Sequence, residues 1–110
     1  MPLRHAVDHY LRRCFSLEDT PRVSELAALL GMTREKLSRD FAAAYGVALS
    51  SYLKHRQLRH AERLLESSAL STTRIGYLAG FGTRRTFYRA FRRVRGMSPD
   101  EYRRIRSRKS

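Results

Sequence analysis

Apolar residues return at intervals of three and four along almost the whole chain, and nowhere do they alternate with a period of two. That spacing belongs to helices with one buried face, so the fold is predicted to be all-α. Val7, Tyr10, Leu11 and Cys14 mark a first helix from about His5 to Phe15. Val23, Leu26, Ala27 and Leu30 give a second, ended by Gly31, the residue type best able to take the left-handed conformation of a helix terminus. Thr33 is placed to cap a third helix through its hydroxyl, with Leu37, Phe41, Ala44 and Tyr45 facing inward. A long helix follows from about Leu49 to Ser67, packing through Tyr52, Leu53, Ala61, Leu64 and Leu65. Ser71 or Thr72 opens a short fifth helix carrying Ile75, Leu78 and Ala79. Gly80 and Gly82 bracket a turn holding Phe81, and Thr83 caps a sixth helix whose Phe87, Phe91 and Val94 point inward. Ser98, Pro99 and Glu101 combine a capping box with proline at the first helical position, so a seventh helix starts there. The Arg-rich stretch from Arg103 to Ser110 is expected to fray.

The seven helices repeat one unit. Phe41, Gly46 and Tyr52 recur as Phe91, Gly96 and Tyr102, each 50 positions on, and Thr33 and Leu37 recur as Thr83 and Phe87. Upstream, Leu26, Ala27 and Gly31 face Ile75, Gly76 and Gly80 at an offset of 49, so the second copy carries one extra residue after Gly80. A short helix, a glycine turn and a second helix form the repeated unit, a helix-turn-helix. The organisation expected is residues 1–48 as a first unit, 49–68 as a connector helix, and 69–110 as a second unit with a basic tail.

Charge narrows the class. The net charge is +13, and it is unevenly spread: residues 1–73 hold 11 Lys/Arg against 8 Asp/Glu, residues 74–110 hold 12 against 2. The second unit therefore carries +10 of the total. A field of this sign attracts phosphate polyanions and anionic membranes alike, and charge alone does not choose between them. No uninterrupted apolar run suggests a membrane span or signal peptide, so a cytoplasmic protein is expected. Cys14 is the single cysteine, which rules out an internal disulfide; it falls on an apolar stripe and is expected to be a buried thiol.

Residues 75–103, IGYLAGFGTRRTFYRAFRRVRGMSPDEYR, resemble the signature region of AraC/XylS-type transcription regulators. The spine of the match is Ile75, Gly80, Phe81, Phe87, Arg89, Phe91, Gly96, Ser98, Pro99, Tyr102 and Arg103, and Val23 to Leu65 resembles the family's first helix-turn-helix and connector. The resemblance implies a DNA-binding module of seven helices in two subdomains, each placing its second helix in the major groove. By family position, base reading falls to Arg34, Glu35, Ser38 and Arg39 in the first unit, and to Arg84, Arg85, Tyr88 and Arg89 in the second. Arginine can donate two hydrogen bonds to guanine and glutamate can accept one from cytosine, although arginine also serves as a phosphate clamp. Arg92, Arg93 and Arg95 are expected to supply backbone attraction. Phe41, Phe91, Tyr52 and Tyr102 are assigned to core packing. Three positions depart from the family pattern: Gly76 replaces alanine, Thr72 replaces an apolar residue, and Ala48 lacks the capping hydroxyl of Ser98. Each is expected to soften its helix.

A connector of about 18 residues spans roughly 27 Å at 1.5 Å per residue, close to one turn of B-DNA. A monomer is therefore expected to engage both grooves of an asymmetric double-stranded site. The family resemblance implies an activator that contacts RNA polymerase, either standing alone or as one part of a longer protein with a sensor or dimerisation domain. Two other classes compete: a non-specific or architectural nucleic-acid-binding protein, and a polymerase or partner interaction module. His5 and His9 share a helix face but lack convincing further ligands, and His55 and His60 do not share one, so neither a metal nor any other cofactor is expected. No nucleophile elbow, phosphate-binding glycine loop or carboxylate pair suggests an enzyme.

Overall fold

In a computed structural model, residues 2–108 are described and form seven helices without a strand. They are α1 (Leu3–Leu17), α2 (Val23–Leu29), α3 (Arg34–Tyr45), α4 (Leu49–Ser67), α5 (Thr72–Leu78), α6 (Arg84–Arg95) and α7 (Pro99–Arg108). Two apolar cores line up along α4. The first gathers Val7, Leu11, Leu26, Leu37, Phe41 and Leu53, and the second Leu58, Ala61, Ile75, Phe87, Phe91 and Tyr102. The connector thus gives its N-terminal half to one core and its C-terminal half to the other.

The internal repeat is visible in local geometry. Thr33 and Thr83 each accept a hydrogen bond from the backbone N–H three residues on, satisfying an otherwise orphaned donor at the start of α3 and α6. Both helices end on glycine in the left-handed region, Gly46 at φ 73° and Gly96 at φ 74°. Tyr52 and Tyr102 pack against Phe41 and Phe91 with ring centroids 5.2 and 5.3 Å apart, and their hydroxyls donate to Asp8 and Glu66. Ser98 and Glu101 form the expected reciprocal capping box, while α4 starts at Ala48 without a side-chain cap.

Several sequence expectations need correction. Leu30 is exposed rather than part of the buried stripe, because α2 stops at Leu29 and the backbone turns away at Leu30. Ala44 is exposed too. The C-terminal stretch does not fray from Arg103: α7 runs on to Arg108, and residues 109 and 110 lie outside the described part. The Arg103 guanidinium donates to the carbonyls of Leu65, Ser68 and Leu70, placing a cation where the dipole of α4 favours one. Gly76 and Thr72 are fitted to their surroundings instead of weakening them. A Cβ on Gly76 would meet Phe87 at 2.8 Å, so glycine is what lets α5 approach α6. Thr72 shares a 2.7 Å hydrogen bond with the Tyr88 hydroxyl. Burial raises the Cys14 thiol above its ordinary value, leaving it protonated, as expected of a core thiol.

Candidate nucleic-acid interface

Each helix-turn-helix unit presents its second helix with one face in the core and the other in solvent. On α3, Leu37 and Phe41 are buried, and Arg34, Glu35, Ser38 and Arg39 are exposed with no hydrogen-bond or ion-pair partner among the described residues. On α6, Phe87, Ala90 and Phe91 are buried, and Arg84, Arg85, Arg89, Arg92 and Arg93 are exposed. Arg85, Arg89 and Arg93 have no such partner, so their donors are open. The Arg84 guanidinium lies 4.0 Å from the centre of the Tyr88 ring, a cation–π contact that holds it along the helix. Arg92 approaches Glu101 at 3.9 Å on an exposed surface, where an ion pair restrains little.

Two of the residues singled out in the sequence are engaged inside the molecule. Tyr88 packs edge-on against Phe87, and its hydroxyl donates to Asp100 at 2.6 Å. A phenol has one proton, so Thr72 must be the donor in the second bond, and the chain Thr72–Tyr88–Asp100 ties α5, α6 and α7 together. Arg95 grips Glu62 of α4 with two nitrogens, one at 2.9 Å. With two guanidinium nitrogens in a bidentate pair and both side chains largely covered, Arg95 braces α6 against the connector.

The connector and the first unit both meet the α5–α6 turn of the second unit. The Gln57 amide nitrogen donates to the carbonyls of Ala79 and Gly80 at 3.1 and 3.0 Å, filling both of its hydrogens. Pro21 presses on the same turn: a Cβ on Gly80 would meet Pro21 Cδ at 2.8 Å, and Gly80 holds φ 83°. Nearby, Phe15 stacks on His60 with centroids 4.2 Å apart and Glu18 pairs with Arg74 at 2.7 Å. Burial under this stack lowers the His60 pKa, and the positive charge of Arg63 lowers it further. The end of α1 and the loop after it thus pack against α4, α5 and the α5–α6 turn, joining the first unit to the second.

A family model described as "Helix-turn-helix domain" matches residues 26–105. The chain is 32% identical to the DNA-binding domain of AdpA, a global transcriptional factor solved in complex with a target DNA; the match covers 97% of this chain and 95% of that one with a TM-score of 0.85. The chain belongs to the AraC/XylS-type family of DNA-binding transcription regulators. It is similar to an AraC-type DNA-binding domain protein from Chromobacterium violaceum at 26% identity, over 93% of this chain and 96% of that one, with a TM-score of 0.70. Among curated relatives it is 35% identical to the HTH-type transcriptional regulators Rv1931c of Mycobacterium tuberculosis and GlxA of Rhizobium meliloti, over 74% and 72% of its own length. It spans only 32% and 24% of those two proteins. These relatives and this fold belong to AraC/XylS-type regulators, not to enzymes. No helix among the described residues is long and apolar enough to cross a membrane.

Sequence reasoning missed the residues that set the geometry between units. Gln57 is one polar residue among many on α4, and its partners lie 22 and 23 positions away, so nothing local marks it. A basic cleft of about 360 Å³ between α4 and α6, lined by Ser50, Ser51, Lys54, His55 and Arg93, was equally hidden. Only Arg93 of that set could be foreseen, from the arginine run on α6.

Proposed function

We propose that this chain reads double-stranded DNA as a monomer, setting α3 and α6 in adjacent major grooves of one asymmetric site. The observation that carries the reading is the pairing of two equivalent helices on one continuous connector, each presenting exposed side chains, Arg34, Glu35, Ser38 and Arg39 on α3 and Arg85, Arg89 and Arg93 on α6, with no partner among the described residues. Residues 1–48 and 69–110 act as the reading units and 49–68 as the strut between them. At 19 residues α4 is about 28 Å long, comparable to the roughly 34 Å between successive major-groove faces.

Arg34, Glu35, Ser38 and Arg39 read the first block, and Arg84, Arg85 and Arg89 the second; the helix offset of 50 sets Glu35 against Arg85 and Ser38 against Tyr88. Because the two surfaces differ chemically, the two blocks differ in sequence. Arg92 and Arg93 supply phosphate contacts, and Tyr88 shapes the second surface by holding Arg84. Activation through contact with RNA polymerase is the outcome we assign, on the family resemblance. The similar AdpA domain, solved on a target DNA, supports the DNA assignment.

The test is selection of sites from a random duplex library by the purified chain at physiological salt. The reading requires an asymmetric motif of two unlike blocks about one turn apart. A palindrome or the absence of any enriched motif would overturn it, since the first demands a dimer and the second a non-specific binder. Run-off transcription from a promoter bearing the selected site then tests activation.

A further inference from the structure

The internal repeat makes a comparison possible that a single helix-turn-helix does not. In the second unit the notch between α4 and α5 is occupied: Phe15 stacks on His60, Glu18 pairs with Arg74, and Pro21 abuts Gly80. Under that cover Ala79 and Gly80 are buried. In the first unit the matching notch lies between α1 and α2, and it is open. It forms a groove of about 610 Å³ with Ala6, Leu29 and Leu30 on its walls and His5, His9, Arg12 and Arg13 around it. Leu30 and Gly31, which match Ala79 and Gly80 at the offset of 49, are exposed here, and Leu29 is 57% exposed.

We propose that this α1–α2 groove is a docking site for a protein partner, and that the partner's docking segment is an acidic helix end bearing an aromatic residue. Two observations choose that occupant. The segment that fills the equivalent notch within the molecule is itself the end of a helix with its following loop, and it presents Phe15, Glu18 and Asp19. The open groove is lined by Arg12, Arg13, His5 and His9 and by no carboxylate, and Glu25, which lines the adjoining hollow, is already bonded by the Tyr10 hydroxyl at 2.7 Å. Charge therefore favours an acidic segment, and the exposed leucines reward an apolar or aromatic anchor. The groove lies on α1 and α2, leaving the outward faces of α3 and α6 to their own ligand.

The test is panning of a displayed random 16-residue peptide library against the full chain, followed by anisotropy titration of the enriched peptides on Leu29→Glu and Leu29→Arg variants. Leu29 is exposed, so both variants should keep the unfolding temperature of the parent. The proposal requires enriched peptides that are acidic with an aromatic residue and that lose at least about tenfold affinity on both variants. If Leu29→Arg instead tightens binding, the attraction is mere charge and the groove is not the site. Failure to enrich, enrichment of basic or neutral peptides, or indifference to both substitutions would likewise overturn it. Displacement of the bound peptide by duplex DNA would assign the groove to the DNA face and end the proposal.

Discussion

Gly76 of α5 lies so close to Phe87 of α6 that a Cβ on the glycine would stand 2.8 Å from the ring carbon Cδ2. In the first unit the matching positions hold Ala27, which is larger than Gly76, and Leu37, which is smaller than Phe87. The second unit has exchanged volume across the same helix contact while keeping the packing.

Gly76→Ala therefore tests packing against helix propensity. Propensity alone would stabilise α5 by up to about 1 kcal/mol, whereas overpacking a filled core costs about 1 to 3 kcal/mol. A net loss of stability is expected in denaturant unfolding, and Phe87→Leu in the same chain should recover much of it, giving a coupling energy in a double-mutant cycle. A stabilised single variant would mean that the contact relaxes freely.

The seam between units should control spacing on DNA. Gln57→Leu leaves the Ala79 and Gly80 carbonyls without their donor, at a cost of about 1 to 3 kcal/mol. With the relative pose of α3 and α6 loosened, affinity for a two-block duplex should fall while affinity for either block alone holds. Equal affinities of parent and variant for the two-block site would show that the seam does not set the pose.

The arginines of α6 should separate into three kinds. Arg85→Ala is expected to cost about 1 to 3 kcal/mol on the cognate site and to relax preference at one base pair. Arg93→Ala should weaken all sequences alike and reduce the salt slope by about one. Arg95→Ala should lower the unfolding temperature and leave the salt slope unchanged, because Arg95 is committed to Glu62. A reduced slope for Arg95→Ala would restore it to the phosphate contacts.

Acid should weaken the seam through His60. Its folded pKa lies below the ordinary 6.5, so above that value both folded and unfolded chains carry it neutral and it makes no difference. As the pH falls below 6.5 the unfolded chain takes the proton more readily, and stability declines until the folded pKa is passed. Replacing His60 by Phe should flatten that part of the stability profile; an unchanged profile would assign the decline to other groups.

The fold was legible because its signals are local. Apolar spacing placed the first six helices and the capping box of Ser98 and Glu101 the seventh, and Thr33, Thr83, Gly46 and Gly96 marked helix ends through hydrogen bonds and backbone angles made within a turn or two. The exposed arginines of α6 could be read from the same periodicity. What escaped depended on neighbours distant in sequence. Arg95 looked like its free neighbours until Glu62, 33 positions away, was brought beside it. Tyr88 sits on the face of α6 that looked free, yet its hydroxyl is taken up by Thr72 and Asp100. Gly76 read as a weakness because only the partner helix reveals the ring that requires it.

The central claim is that one chain holds two reading helices in fixed relation, and helical phasing tests it most directly. The affinity of the purified chain would be measured on duplexes carrying both selected blocks at their preferred spacing, and with five extra base pairs between them. Half a turn rotates the second block to the far side of the duplex, so the account predicts that binding falls to the level of a single block. Undiminished binding to the inserted duplex would contradict it, since two helices locked through Gln57, Pro21 and Gly80 cannot follow the block around.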